Sequence, residues 1–116
     1  MSIQRIGAGP RMSKAVVHGN TVYLAGQVAD STKGKSVGEQ TAEVLSIIDA
    51  LLKEAGSDKT KLLSATIYLP DISTFPQMNA EWDKWVAQGH TPARATVEAK
   101  LATPEYKVEI AVIAAV

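Results

Sequence analysis

The sequence predicts an α+β domain built on a single mixed β-sheet, with elements in the order β-β-β-α-β-α-β-β and two helices on one face of the sheet. Two segments repeat apolar residues at helical spacing, and they separate runs rich in strand-forming residues. The last run, residues 108–116, is apolar at every position except Glu109. A strand that is apolar on both faces normally lies inside a sheet, so we expect the final strand in the sheet interior.

Three short strands are expected at the start of the chain, over residues 2–6, 13–18 and 21–28. The second and third are separated by Gly19-Asn20, a dipeptide that favours the tight turn of a β-hairpin.

Two helices are expected, over residues 37–55 and 75–87, and Gly56 and Gly89 are placed to end them. The apolar stripe of the first helix consists of Val37, Thr41, Val44, Leu45, Ile48, Leu51, Leu52 and Ala55. The stripe of the second consists of Phe75, Met78, Trp82, Trp85 and Val86.

The remaining strands are expected over residues 62–69, 93–101 and 107–115. A simple hairpin between the last two would place Arg94 opposite Ile113 and Glu109 opposite Glu98, with Arg94 and Glu109 about 13 Å apart along the strands. A site that contains both charges then needs a different strand order or two subunits. Because both helices lie on one sheet face, the other face is bare, and we expect a homo-oligomer to cover it.

Composition narrows the possible functions. The 116 residues carry 12 basic and 12 acidic side chains, so the net charge of zero argues against binding to nucleic acid or to a membrane surface. Cysteine is absent, which excludes disulfides and thiol chemistry. No apolar run approaches the roughly 18 residues of a membrane span, and we expect a cytosolic protein. The sequence contains no zinc-ligand spacing, Gly-rich phosphate loop or Ser-His-Asp pattern.

Two charges stand out inside strand-forming runs. Arg94 has the planar fork that binds a substrate carboxylate; the alternative is an ordinary surface or interface arginine paired with a carboxylate of the protein. Glu109 has the chemistry of a general base or of a group that orients water; the alternative is an exposed carboxylate or one paired with Lys107. Asn79 is a candidate ligand contact or a helix-facing polar residue, and Gly26 permits a close backbone approach to a ligand.

The sequence resembles the RidA/YjgF family over nearly its whole length, and we therefore take residues 1–116 as one RidA-like domain. The matching segments are Ser13-Lys-Ala-Val, Gly26-Gln27, Glu39-Gln-Thr41, Ala65-Thr-Ile-Tyr-Leu, Met78-Asn-Ala-Glu-Trp, Pro92-Ala-Arg-Ala-Thr-Val-Glu and Lys107-Val-Glu-Ile-Ala-Val-Ile-Ala. The resemblance implies a chorismate-mutase-like fold, with the last strand between the third and fourth, and a homotrimer with clefts between its subunits.

The same resemblance implies hydrolysis of reactive 2-imino acids, or their enamine tautomers, to 2-oxo acids and ammonia without a metal or cofactor. Arg94 would bind the substrate carboxylate and Glu109 would activate water. Gly26 and Thr96 would contribute backbone groups, and Asn79 would lie near the cleft.

Three positions depart from the branch of the family that hydrolyses imines. Met12 stands where that branch has tyrosine, Ala25 replaces a serine and Thr96 replaces a cysteine. These changes make the cleft less polar and alter its shape. Arg94 and Glu109 are both present, so carboxylate binding is expected even where the preferred imine differs.

Two further functions remain open. One is a non-catalytic trimer that binds small carboxylates, as a sensor or as a stabiliser of partner enzymes; it needs Arg94 but tolerates loss of Glu109. The other is the ribonuclease activity attached to the family, which the net charge of zero and the lack of a basic stripe argue against here.

Overall fold

The computed structural model of the protein describes residues 2–116. The six strands are β1 (Ile3–Ile6), β2 (Ala15–His18), β3 (Thr21–Leu24), β4 (Leu62–Leu69), β5 (Ala93–Glu98) and β6 (Glu109–Ala115). The two helices are α1 (Val37–Glu54) and α2 (Phe75–Trp85), and short 3₁₀ turns at Lys59–Lys61 and Ile72–Thr74 precede β4 and α2.

The strands form one mixed sheet in the order β1-β2-β3-β6-β4-β5. The prediction that the last strand lies between the third and the fourth is confirmed. β6 is antiparallel to both of its neighbours, whereas β5 is parallel to β4. The simple hairpin between the last two strands is therefore wrong. Helix α2 carries the chain across to the edge of the sheet, and the long loop after β5 then returns it to the far side of β4.

Several element ends differ from the sequence-based expectation by a few residues. β3 ends at Leu24 and only Gln27 returns to the sheet, in an isolated bridge with Ile110. β5 ends at Glu98, and β6 begins only at Glu109. α2 ends at Trp85, and the positive φ predicted for a terminating glycine belongs to a separate turn that contains Gly89.

Helix α1 begins and ends where its sequence predicts. Ser36 caps the N-terminus, with its hydroxyl accepting a hydrogen bond from the Glu39 N–H at 3.2 Å. At the other end the N–H groups of Gly56 and Ser57 donate to the last carbonyls of the helix, and Gly56 has a φ of +84°. This is the Schellman arrangement, which requires a left-handed residue at the glycine position.

The two faces of the sheet differ in their surroundings. One face packs against α1 and α2 around a core that includes Val22, Ile67 and Ile110, all fully buried. The other face has no helix and exposes large apolar side chains, among them Tyr23 at 47% and Val97 at 42%. The predicted bare face is thus present. No helix within residues 2–116 has the length and apolar character needed to cross a membrane.

The loop between β3 and α1 is held to the helix by Glu43. Its carboxylate accepts hydrogen bonds from the backbone N–H groups of Ser31 and Thr32, at 3.1 and 2.8 Å, and from the Thr32 hydroxyl at 2.7 Å. Partial desolvation alone raises the pKa of Glu43, but these hydrogen bonds outweigh it and hold the pKa below its ordinary value of 4.5.

Because the folded-state pKa of Glu43 is lowered, its stabilising contribution is fully present above the ordinary value and is lost as the pH falls through the folded-state value. We expect Glu43→Gln to lower the free energy of unfolding at pH 7 and to flatten its decline below about pH 4.5. Urea unfolding at fixed protein concentration between pH 3 and 7 measures both effects. A variant whose stability falls with pH as steeply as that of the wild type contradicts this role.

Candidate active site

Arg94 lies on the helix-covered face of the sheet. It pairs with the buried Ala65 in the parallel β4–β5 register, so its side chain points toward α2. The guanidinium carbon is 5.6 Å from the centroid of the Phe75 ring and 5.2 Å from that of Trp82. Both distances are within the range of cation–π attraction, which orients the guanidinium without occupying its N–H donors.

No carboxylate within residues 2–116 pairs with Arg94. The single ion pair formed by these residues joins Lys84 to Glu81, at 3.2 Å, and no side-chain hydrogen bond involves Arg94. The alternative role of Arg94, an ion pair with a carboxylate of the same chain, is therefore not observed in the part of the protein that the structure describes. The N–H donors of the Arg94 guanidinium therefore remain available to an acceptor from outside residues 2–116.

Asn79 and Thr96 lie on the helix face and the sheet face that also carry Trp82 and Arg94. Asn79 lies four residues after Phe75 and three before Trp82, so it shares the helix face that covers Arg94. Thr96 lies two residues after Arg94 and therefore on the same sheet face. The Asn79 Oδ1 and Thr96 Oγ1 atoms are buried without a hydrogen-bond partner in residues 2–116. We call these five residues the arginine cluster; its unsatisfied polar atoms are uncommon in a completed interior.

Glu109 lies on the opposite, helix-free face. It opens β6 and pairs with Tyr68, whose neighbours in β4 are the buried core residues. Its carboxylate rests directly on Gly26, because a Cβ added to that glycine would lie 2.1 Å from Glu109 Oε2. Glu109 forms no ion pair with Lys107 or with any other cation of residues 2–116.

Backbone hydrogen bonds fix the chain on both sides of Gly26. Gln27 and Ile110 exchange two backbone hydrogen bonds, at 2.9 and 3.1 Å, and the Ala25 N–H donates to the Lys14 carbonyl at 2.9 Å. We call Ala25, Gly26 and Glu109 the glutamate cluster. A side chain at position 26 would displace the Glu109 carboxylate. The space over Gly26, which was predicted to permit the close approach of a ligand, is therefore occupied by Glu109.

Met12 lies in the loop between β1 and β2, and its side chain is 54% exposed. The loop is closed by a backbone hydrogen bond from Gly9 to the Met12 carbonyl, at 2.8 Å. Because the Lys14 carbonyl accepts from Ala25, the end of this loop lies beside the glutamate cluster. Met12 lies two residues before Lys14, in the part of the loop that leads to this cluster.

One chain does not bring Arg94 and Glu109 together. They lie on opposite faces of the sheet, with β4 between their strands, and their partners Ala65 and Tyr68 are three residues apart. This register separates the two backbones by about 10 Å along the strands and about 10 Å across them. A cleft of about 320 Å³ between the α1 N-terminus and the loop after β5 includes neither residue. A site that uses both must take them from two copies of the chain.

The aromatic support of Arg94 was not predicted. Trp82 and Phe75 were assigned to the apolar stripe of α2, and both do pack there, but they also form the surface on which the guanidinium lies. Two aromatic residues seven positions apart on one helix face, with Asn79 between them, are a sequence signal for such a surface once the helix is known to cover β5.

A family model described as Endoribonuclease L-PSP matches residues 2–116 of the chain. The chain belongs to this family. Relatives in it include a RutC family protein of Haemophilus influenzae, 49% identical over 114 residues with 98% of each chain covered, and the RutC family protein YoaB of Escherichia coli, 48% identical over 116 residues with both chains covered completely. The resemblance to the RidA/YjgF family is confirmed.

Solved structures of family members have the same fold. A YjgF family protein from Neisseria meningitidis superposes with a TM-score of 0.96 at 49% identity, covering 99% of this chain and 95% of that one. The names of these relatives give the family and no reaction.

The contact between Gly26 and Glu109 predicts a strong energetic coupling. Gly26 has no positive φ, so alanine fits its backbone, and the effect of Gly26→Ala is the steric conflict with Glu109. We expect Gly26→Ala to cost about 1–3 kcal/mol of unfolding free energy in the wild type and little in a Glu109→Ala background. Urea unfolding of the four proteins at one concentration measures this double-mutant cycle.

Gly38→Ala is the matched control for that cycle, because an added Cβ there meets nothing closer than 3.9 Å. It is expected to leave stability unchanged or to raise it, since alanine is the better helix former. Additive costs for Gly26→Ala and Glu109→Ala would show that the carboxylate does not occupy the space over the glycine.

Proposed function

We propose that this protein hydrolyses reactive 2-imino acids, or their enamine tautomers, to 2-oxo acids and ammonia. The observation that carries the proposal is the environment of Arg94, whose guanidinium lies over two aromatic rings of α2 and has no carboxylate partner in residues 2–116. A guanidinium of this kind binds an external carboxylate through two parallel charge-assisted hydrogen bonds. The carboxylate of a 2-imino acid would thereby be fixed, with the imine carbon one bond away from it.

Glu109 supplies the second function. Its carboxylate accepts no hydrogen bond from the described residues and takes part in no ion pair among them, so it is available to a water molecule. It accepts a proton as the water oxygen adds to the carbon of the protonated imine, which gives a neutral tetrahedral carbinolamine. It then returns that proton to the nitrogen and takes up the hydroxyl proton as the C–N bond breaks, so that ammonia leaves and the carbonyl forms. An imine is already electrophilic, so orientation and one base suffice for useful acceleration.

The site of this reaction lies between two copies of the chain. One copy would contribute its helix-free face with Glu109, and another would contribute the edge formed by β5 and α2 with Arg94. This arrangement would also cover exposed apolar residues of the bare face such as Tyr23 and Val97. The homotrimer implied by the family resemblance is the assembly we propose, with the cytosol as its location.

The other candidate residues determine the shape of the cleft. Gly26 and Thr96 would offer backbone groups to the substrate, and Asn79 would border the carboxylate. Met12 and Ala25 carry no hydroxyl, so the part of the cleft that they line favours an apolar substrate side chain over a polar one.

A second candidate function is binding of small carboxylates without turnover, in a sensor or in a stabiliser of partner enzymes. The unpaired Arg94 supports it as well, because binding needs the guanidinium alone. Glu109 separates the two functions, since only hydrolysis requires a base. The family description refers to an endoribonuclease, but a net charge of zero gives no electrostatic attraction for a phosphate backbone.

If the protein is a hydrolase, replacing Glu109 and replacing Arg94 should give different kinetic defects. With 2-iminopropanoate and 2-iminobutanoate generated in situ by an amino-acid oxidase, the wild type should lower the fraction trapped by semicarbazide. Glu109→Gln should reduce kcat by about 10²–10⁴-fold with KM nearly unchanged, because it removes the base and keeps the shape. Arg94→Lys should retain the charge but raise KM, because it loses the bidentate fork.

Glu54→Gln, which removes an exposed carboxylate at the end of α1, is the control for the loss of one negative charge. It should behave as the wild type. If Glu109→Gln hydrolyses both imines at the wild-type rate, the role of Glu109 is wrong. If the wild type leaves trapping unchanged but binds 2-oxo acids through Arg94, the binding function replaces the hydrolase for these substrates.

A further inference from the structure

Gln40 is a polar side chain on the core side of α1 that the apolar stripe did not predict. It is 0% exposed and lies among the largest fully buried side chains of residues 2–116. A buried amide is tolerated only when its hydrogen bonds are satisfied, so the partners of Gln40 show what it holds in place.

All of its partners are backbone groups of two loops. Gln40 Oε1 accepts from the Lys107 N–H at 2.8 Å. Its Nε2 donates to the Glu105 carbonyl at 2.8 Å and to the Lys35 carbonyl at 3.1 Å. One side chain therefore ties the start of α1 to the end of the loop that leads into β6.

The bond to Lys107 lies next to the proposed base. β6 begins at Glu109, so the Lys107 N–H is outside the strand ladder, and the Gln40 amide takes the place of a neighbouring strand. On the other side of Glu109, Ile110 is held by its two bonds to Gln27. The Glu109 backbone is thus fixed from both directions, by Gln40 on one side and by the bridge at Gln27 on the other.

We propose that Gln40 is a positioning residue that sets the place of the Glu109 carboxylate over Gly26; its effect on hydrolysis rests on the proposed function. The side chain has no route to the substrate, because it is fully buried and its partners are backbone groups. It acts through Lys107 and Val108, which connect its hydrogen bond to the base. The Tyr106 ring reinforces the same loop through a hydrogen bond from its hydroxyl to Asp30.

Gln40→Met tests this role because methionine matches the length of glutamine and offers no hydrogen bond to either loop. The Glu105 carbonyl keeps its bond from the Gly34 N–H, whereas the Lys107 N–H loses its partner. We expect kcat for imine hydrolysis to fall about tenfold to a hundredfold while KM changes little, because Arg94 of the other copy still binds the carboxylate.

Thr41→Val is the matched control. Thr41 is the next residue of α1 and is also fully buried, but its hydroxyl donates within the helix, to the Val37 carbonyl at 2.7 Å. Its loss should lower stability and leave kcat within about twofold of the wild type. A similar fall in kcat for both variants would show that Gln40 acts only through general stability, and would overturn the proposal.

A spectroscopic measurement makes the test independent of activity. In protein labelled with ¹³C-glutamate, the side-chain carboxyl resonance of Glu109, assigned from its absence in Glu109→Gln, should shift in Gln40→Met and stay in place in Thr41→Val. Amide exchange at Lys107 should accelerate by at least about tenfold in Gln40→Met alone. An unchanged Glu109 resonance with unchanged Lys107 exchange overturns the positioning role, even where hydrolysis is intact.

Failure of the proposed hydrolysis and failure of the positioning role of Gln40 give different results. If the wild type does not hydrolyse the imines, the proposed function fails, and the resonance and exchange data still decide whether Gln40 positions Glu109. If Gln40→Met does not fold, Gln40→Asn takes its place, since its amide is one methylene shorter, adds no buried charge and cannot reach both loops as glutamine does. Gln40→Asn should then show the same direction of change in kcat, in Lys107 exchange and in the Glu109 resonance.

Discussion

The central position of β6 determines how the other strands and the two charged residues are arranged. Because β6 lies between β3 and β4, it joins the N-terminal hairpin strands to the parallel pair of β4 and β5 in a single sheet. Its alternate residues, such as Ile110 and Val112, enter the core beneath the helices, while Glu109 and Ile113 point to the other face. The same strand therefore builds the core and presents the proposed base on the surface that has no helix.

That arrangement explains why the two charged residues are not neighbours. Arg94 belongs to the edge strand and is turned toward α2, whereas Glu109 opens the central strand and is turned away from the helices. A fold of this kind keeps the cation and the carboxylate from neutralising each other within one chain. Each stays available within one chain, and under the proposed function two copies would meet to place them at one substrate.

Local sequence patterns were sufficient for the helices and for the interior position of the last strand. The three- and four-residue spacing from Val37 to Leu52 predicts the buried face of α1, and Gly56 ends the helix because of its positive φ. Such patterns do not determine which strands β5 and β6 pair with, since a hairpin between them and a crossover around β4 place the same apolar residues in strands. The family resemblance, and not the periodicity, supplied the correct order.

The candidate site was predictable as a set of residues but not as a geometry. Arg94 and Glu109 are conspicuous as charges in strand-forming runs, whereas the sheet face that each occupies depends on long-range register with Ala65 and Tyr68. Gln40 was missed for a related reason. A glutamine in an amphipathic helix normally faces solvent, and its burial is understood only when the loop that it binds has been placed.

Activity complementation between two inactive variants tests whether the site is shared between copies of the chain. Arg94→Ala and Glu109→Gln subunits are unfolded together, refolded as a one-to-one mixture and assayed for imine hydrolysis. If each site takes Arg94 from one copy and Glu109 from another, random assembly restores about one quarter of wild-type activity, because about one site in four receives both intact residues. A mixture that stays as inactive as either variant alone, although mass spectrometry shows mixed oligomers, would contradict a site shared between copies.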